Sequence, residues 1–164
     1  MKIVSIAVSK KKGTRKVPVE EAVLVENHGI EGDAHSGTWH RQVSFLASES
    51  IKMAQSRGLD VHFGDFAENI ATQGIDWQRV PVGTRLKIGD CALVEVTQIG
   101  KACHNKCAIY HMAGDCIMPK EGIFARVLQG GIIRCGDQIQ PFHDLLSTSS
   151  QTQRSMPRGP GLPG

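Results

Sequence analysis

Three of the five cysteines fall close together, at Cys103, Cys107 and Cys116, with Lys101, His104, Lys106 and His111 among them. A thiolate is both a nucleophile and a soft metal ligand, and neighbouring cations lower the thiol pKa from its free value of about 8.5. Cys103 follows an apolar run and Gly100, and Lys101, His104 and Lys106 surround it. That setting predicts an electropositive, partly exposed thiol, with Cys103 or Cys107 as the functional one. The competing reading is structural zinc on Cys103, Cys107 and Cys116, assisted by His104 or His111. Zinc sites usually show two closely spaced Cys pairs, or one with a matched His pair, and the second pair is missing here. Cys91 and Cys135 sit in apolar strand patterns and are read as buried, inert thiols.

Three further polar stretches carry chemistry. Gly29-Ile30-Glu31-Gly32-Asp33-Ala34-His35-Ser36-Gly37-Thr38-Trp39-His40-Arg41 is long for a connection inside a domain, and long loops are often functional. The plain alternative is a Gly/Ser turn with surface histidines. Its glycines do not form a dinucleotide fingerprint, and the chain has no Walker lysine loop. Phe66-Ala67-Glu68-Asn69-Ile70-Ala71-Thr72 sets Asn69 beside apolar anchors, the pattern of a satisfied turn asparagine. Lys10-Lys11-Lys12-Gly13-Thr14-Arg15-Lys16 reads as a solvated hairpin tip or as an anion-binding edge.

The elements that must position these residues are mostly short strands. Apolar runs with strand character cover residues 3–9, 21–26, 42–47 and 86–99, the last interrupted by a turn at Gly89-Asp90, and a final strand pair covers 132–139. The echo of Lys87-Ile88-Gly89-Asp90 in Arg134-Cys135-Gly136-Asp137 suggests a meander curling into a barrel. Helices are expected over 48–57, ended by Gly58, and over 119–129, where Pro119 suits the first turn and Ile123, Phe124, Val127 and Leu128 share a face. Residues 1–142 form one domain. The Ser/Thr/Gln-rich, Pro/Gly-ending stretch 143–164 reads as a disordered tail, because its composition cannot bury apolar surface.

Composition narrows the class. The chain has 164 residues, 40% of them hydrophobic and 21% charged, which suits one soluble globular domain. No apolar run approaches the roughly 18–20 residues that span a bilayer. The start, Met1-Lys2-Ile3-Val4-Ser5-Ile6, lacks a signal-peptide pattern, and an odd number of thiols then suits a reducing cytoplasm. A net charge of +3 without base-reading motifs does not suggest nucleic acid.

Taken in order, several segments resemble the MOSC domain, found at the C-terminus of eukaryotic molybdenum-cofactor sulfurases and alone in small bacterial proteins. They are Gly29 to Gly37, His40-Arg41-Gln42-Val43-Ser44, Phe66-Ala67-Glu68-Asn69-Ile70, Leu86-Lys87-Ile88-Gly89-Asp90, Gly100-Lys101-Ala102-Cys103-His104, and Gly122-Ile123-Phe124-Ala125-Arg126-Val127 before Gly130-Gly131. The resemblance covers about residues 3–140. It implies a mainly β fold, a β-barrel like that of pyruvate kinase, with two or three short helices. It also implies binding of the molybdenum cofactor (molybdopterin), with a cysteine, Cys103 or as second choice Cys107, either carrying sulfur or ligating molybdenum. Related proteins reduce N-hydroxylated compounds with electrons from a partner. Lys101, His104 and Arg41 would favour the thiolate and the pterin phosphate, and His35, His40 and Asn69 would give directional hydrogen bonds. These loops are expected to meet at one barrel mouth. The pyridoxal-phosphate domain of the fused sulfurases has no counterpart here. A separate sulfur donor, an electron-transfer protein or cofactor-biosynthesis proteins would therefore be partners.

Overall fold

Most of the Val-, Ile- and Leu-rich runs become strands in the computed structural model of the chain, which describes residues 1–103, 106, 110–111 and 116–144. In chain order the strands are β1 (Lys2–Val8), β2 (Val17–Val19), β3 (Glu21–Val25), β4 (Gly29–Ile30), β5 (Val43–Ala47), β6 (Ile70–Gln73), β7 (Arg85–Ile88), β8 (Ala92–Ile99), β9 (Ile123–Gln129), β10 (Gly131–Arg134) and β11 (Ile139–Pro141). Helix α1 (Ser48–Ser56) follows β5, α2 (Met118–Glu121) precedes β9, and a 3-10 turn covers Trp77–Arg79. The fold is mainly β with few helices.

An eight-stranded sheet runs β11-β7-β8-β9-β5-β6-β1-β2, and a three-stranded sheet runs β10-β3-β4. Strands β5 and β6 pair in parallel, as their crossover through α1 allows. The expected closed barrel is not formed by strand ladders, and both sheets are open. A single bridge, Lys2 to Gln138, spans from β1 to the chain just before β11. It is flanked by backbone bonds from Ile3 N to Asp137 O (2.9 Å), Gly136 N to Ile3 O (2.9 Å) and Ile139 N to Met1 O (3.0 Å).

The helix expected over 119–129 is a correction. Only Met118–Glu121 is helical, Gly122 leaves it in extended conformation, and Ile123–Gln129 is a strand. Spacing of i, i+4 is also spacing of period two, so a short apolar run fits either element. Tertiary pairing of β9 between β8 and β5 decides it. The expected strand pair over 132–139 is two strands in different sheets, because β10 pairs with β3 and β11 with β7. From Leu145 onward the expected tail lies outside the described residues.

Strand β5 is buried on both faces, in keeping with a sequence that is apolar except at Ser44. Val43 and Phe45 join Ile3, Ile6, Ile70, Val94, Val96, Ala125 and Val127 in the main core. Leu46 and Phe124 face the other way, into a second core with Ile51 and Ala54 of α1, Phe66, Ala71 and Met118.

Asn69 ties three parts of this framework together. Its Oδ1 accepts from Ser44 N (3.1 Å) and Ser44 Oγ (3.1 Å), and its Nδ2 donates to Ala7 O (3.1 Å). Truncation leaves a buried N–H and a buried C=O without partners. Asn69→Ala should therefore lower the unfolding free energy by about 2–6 kcal/mol in urea denaturation, at about 1–3 kcal/mol per orphaned group.

Candidate functional site

The β1–β2 hairpin and the β4–β5 loop meet at a buried ion pair. Lys16 Nζ stands 2.7 Å from Asp33 Oδ1, and neither side chain is exposed. Asp33 also accepts from Ser9 N through Oδ1 and from His35 N through Oδ2, each at 3.0 Å. Burial opposes ionisation of Asp33, but contacts from His35, Lys16 and Ser9 overcome it and hold the carboxyl well below the usual carboxylate range. For Lys16 the balance is different: burial pushes its pKa down, and the hydrogen bond and charge of Asp33 only partly restore it. Gly64 makes room for this arrangement, since at φ 90° a Cβ there would collide with the Lys16 carbonyl. Lys16 ends the basic run that reads as a solvated hairpin tip or an anion-binding edge. Lys10, Lys11 and Lys12 are exposed, but Lys16 faces inward.

Beside the pair lies a cavity of about 260 Å³ lined by Lys12, His35, Trp39, Arg41, Ser44, Phe66, Ala67, Asn69, Lys101, Met118 and Phe124. Ser44 and Phe124 are direct cross-strand partners on β5 and β9, and Phe124 belongs to the second core. The loops therefore converge on the outer face of the sheet, over the second core, rather than at a barrel mouth. Among the described residues no carboxylate lines the cavity, while Lys12, Arg41 and Lys101 bring positive charge. Arg41 Cζ lies 4.6 Å from the Trp39 ring centroid and 5.6 Å from that of Phe124, and Lys12 Nζ lies 5.4 Å from Trp39. Trp39 is itself fixed by its Nε1–H donating to His35 O at 2.8 Å. Arg41 Nε is buried without a protein partner among the described residues, and such a donor ordinarily finds an acceptor.

Of the residues singled out in the sequence, His35, Arg41, Asn69 and Lys101 come together in this cavity. Asn69 lines it with an amide already engaged in the framework. His40 is not part of the lining; it is exposed, and its Nε2 pairs with Gln98 Oε1 at 2.7 Å. Gly100, at φ 66°, brings the chain against α2, where Gly100 N donates to Gly122 O (2.6 Å) and Lys101 N to Pro119 O (3.0 Å). A Cβ at Gly100 would stand 2.6 Å from Pro119 O, so glycine sets this approach and with it the position of Lys101. Cys103 is exposed, two residues beyond Lys101. His104 and Cys107 lie outside the described residues. Among the described residues no three His, Cys, Asp or Glu side chains are grouped to hold a metal. Cys91, expected to be buried, is exposed because it belongs to the β7–β8 turn. Cys135 is half-buried, with its Sγ 3.7 Å from Val19 O.

Sequence reasoning missed the Lys16–Asp33 pair, the Trp39 and Phe124 walls around Arg41, and Glu68. The one local signal was Trp39, an aromatic in a polar loop of a chain with only 5% aromatics. Glu68 is buried next to the cavity lining, with Oε1 accepting from Gly64 N (2.5 Å) and Oε2 without a partner among the described residues. A larger cavity of about 440 Å³ lies where Ile75, Trp77, Ile99 and Ile123 meet. Its Glu49 and Asp76 carboxylates accept from Gly74 N and Gln78 N, and none of its buried polar atoms is orphaned among the described residues. It therefore presents less unsatisfied chemistry than the basic cavity.

A family model for the MOSC domain matches residues 32–140. Among solved structures, YiiM from Geobacillus stearothermophilus is similar at 25% identity, over 87% of this chain and 75% of that one, with a TM-score of 0.67. The YuaD protein from Bacillus subtilis is similar at 18% identity, over 84% and 93%, with a TM-score of 0.69. YiiM from Escherichia coli is similar at 20% identity, over 88% and 71%, with a TM-score of 0.61. No curated protein matches the chain. Among the described residues no helix is long and apolar enough to cross a membrane.

Burial pushes the Glu68 carboxyl up to about 7 from an ordinary 4.5, against the bonds donated by backbone N–H groups. The folded state then holds a proton that the unfolded chain has released. Stability should fall as pH rises from about 4.5 through 7, by roughly 3 kcal/mol for this group. Glu68→Gln keeps an acceptor for Gly64 N–H, so urea denaturation across this range should show most of that slope abolished.

Proposed function

The chain belongs to the MOSC domain family, and on that footing we propose that it binds the molybdenum cofactor, with the basic cavity taking the pterin phosphate and Cys103 ligating the metal. The supporting observation is Arg41 Nε, a buried donor with no protein partner among the described residues, in a cavity that those residues line with cations and with no carboxylate. An anionic oxygen satisfies such a group, and charge-assisted bonds to guanidinium are among the stronger ones. At about 260 Å³ the cavity falls below the roughly 300–1,000 Å³ of sites that enclose a whole drug-sized ligand. It suits the phosphate-bearing end of the cofactor rather than all of it.

Lys12, Arg41 and Lys101 would hold the phosphate, with Arg41 kept in place between Trp39 and Phe124. Cys103, exposed on the segment that follows Lys101, supplies a soft ligand for a thiophilic metal. A bound molybdenum centre supplies two-electron redox chemistry, of the kind that reduces N-hydroxylated compounds. The same thiol could instead carry sulfur, and either role requires a partner protein that delivers electrons or sulfur.

Anaerobic reconstitution with molybdenum cofactor tests this reading. The parent should retain molybdenum near stoichiometry, and Arg41→Leu should weaken retention by about tenfold to a hundredfold, the equivalent of about 1.4–3 kcal/mol. If Cys103→Ser and Cys107→Ser both retain molybdenum as tightly as the parent, thiol ligation is wrong. A gain of one sulfur on Cys103 after incubation with a cysteine desulfurase, read by mass spectrometry, would identify a carrier.

A further inference from the structure

Lys16 is a donor with no hydrogens to spare. A charged ammonium has three N–H groups and no acceptor. Three acceptors surround its Nζ: Asp33 Oδ1 at 2.7 Å, Ser9 Oγ at 3.2 Å and His35 Nδ1 at 3.0 Å. Ser9 Oγ fits this count, because its own hydrogen is directed to Lys11 O at 3.2 Å. Asp33 Oδ2 lies 3.7 Å from His35 Nδ1, beyond hydrogen-bond reach. Nδ1 must then be the acceptor, and the proton of a neutral imidazole stands on Nε2. Nε2 has no protein partner among the described residues, and it lies across the ring from Lys16, on a side chain that lines the basic cavity.

We propose that the buried Lys16–Asp33 pair is a tautomer lock, which makes His35 a hydrogen-bond donor to an oxygen of the anion bound in the cavity. Lys16 and Asp33 are positioning residues in this scheme, and His35 is the contact. The consequence is selectivity. Lys12, His35, Arg41 and Lys101 then offer donors only, and the Asn69 Oδ1 acceptor is spent on Ser44. Such a wall takes a fully ionised oxyanion, of the phosphate monoester class, and rejects an end group that must itself donate. The proposal rests on reading the cavity as an anion site, and it makes a claim about the ligand-free protein as well.

The test has two parts on the full chain. Long-range proton–nitrogen NMR of the ligand-free protein, with the ring neutral, reads which nitrogen of His35 bears hydrogen. We expect Nε2–H alone, and Nδ1–H would overturn the lock. In Lys16→Met, Asp33 is left as the nearest polar group, and the proton should move to Nδ1; an unchanged tautomer in the folded variant overturns the lock equally. Should Lys16→Met not fold, the parent spectrum still decides. The second part titrates inorganic phosphate by calorimetry. His35→Leu should bind about tenfold more weakly than the parent, while His35→Gln, which restores an N–H, should recover to within about threefold. Equal binding by His35→Leu and the parent overturns the role of His35. A parent that binds no phosphate overturns it too, together with the anion reading of the cavity, whereas a wrong tautomer leaves that reading intact.

Discussion

The geometry of the basic cavity depends on one buried ion pair. Moving Lys16 and Asp33 out of water costs several kcal/mol per ion, and their attraction offsets this only when the remaining hydrogen-bonding groups are satisfied. Ser9 supplies both a backbone N–H and a hydroxyl, and His35 supplies a backbone N–H and a ring nitrogen. Such a pair contributes little net stability compared with apolar packing, and its effect is on specification. It joins two connections that have no ladder between them, the β1–β2 hairpin and the β4–β5 loop. Everything that the cavity draws from those connections, Lys12 on one and His35, Trp39 and Arg41 on the other, is placed relative to that pair.

Charge is arranged around it in layers. Lys12 and Arg41 both stand over the Trp39 ring, so two positive groups share one aromatic side chain, and no carboxylate among the described residues lines the cavity with them. The outer face of β5 and β9 gives this arrangement a firm floor, because Ser44 and Phe124 sit on strands whose opposite face is the main core. A site on a sheet face is held by ladder hydrogen bonds along its whole length. Loops at a barrel mouth would lack that support.

Strands were legible in the sequence as short apolar runs, alternating or continuous, and β1, β3, β5, β7 and β8 appear where those runs lie. The barrel expected from the two Gly-Asp turns is not closed by ladders, because how far a meander curls is set by contacts distant in sequence, of which the bridge from Lys2 to Gln138 is one. The same limit explains β9: the apolar positions of Ile123 to Leu128 satisfy both periods, and only the neighbours β8 and β5 select one. Within the site, the loops were identifiable by composition but their facing was not. His35 and His40 lie in one polar loop, yet Trp39 and the Asp33 contacts turn the first inward while the second meets Gln98 at the surface. Lys16 is the clearest case. A lysine at the end of a basic run looks solvated until an aspartate seventeen positions away is known to stand 2.7 Å from it.

The single bridge between residue 2 and residue 138 has a bearing on how this chain reaches its native state. Contacts between the first strand and the last are the most distant in sequence that a domain of this length can make, and topologies rich in such pairings fold slowly. During synthesis β1 can find β2 and β6 early, but the far side of its first residues, Lys2 and Ile3, lies beyond β2 and stays unpaired until residue 138 has left the ribosome. Over that interval an apolar strand edge is exposed, and the nascent chain is open to association with chaperones or with other copies of itself.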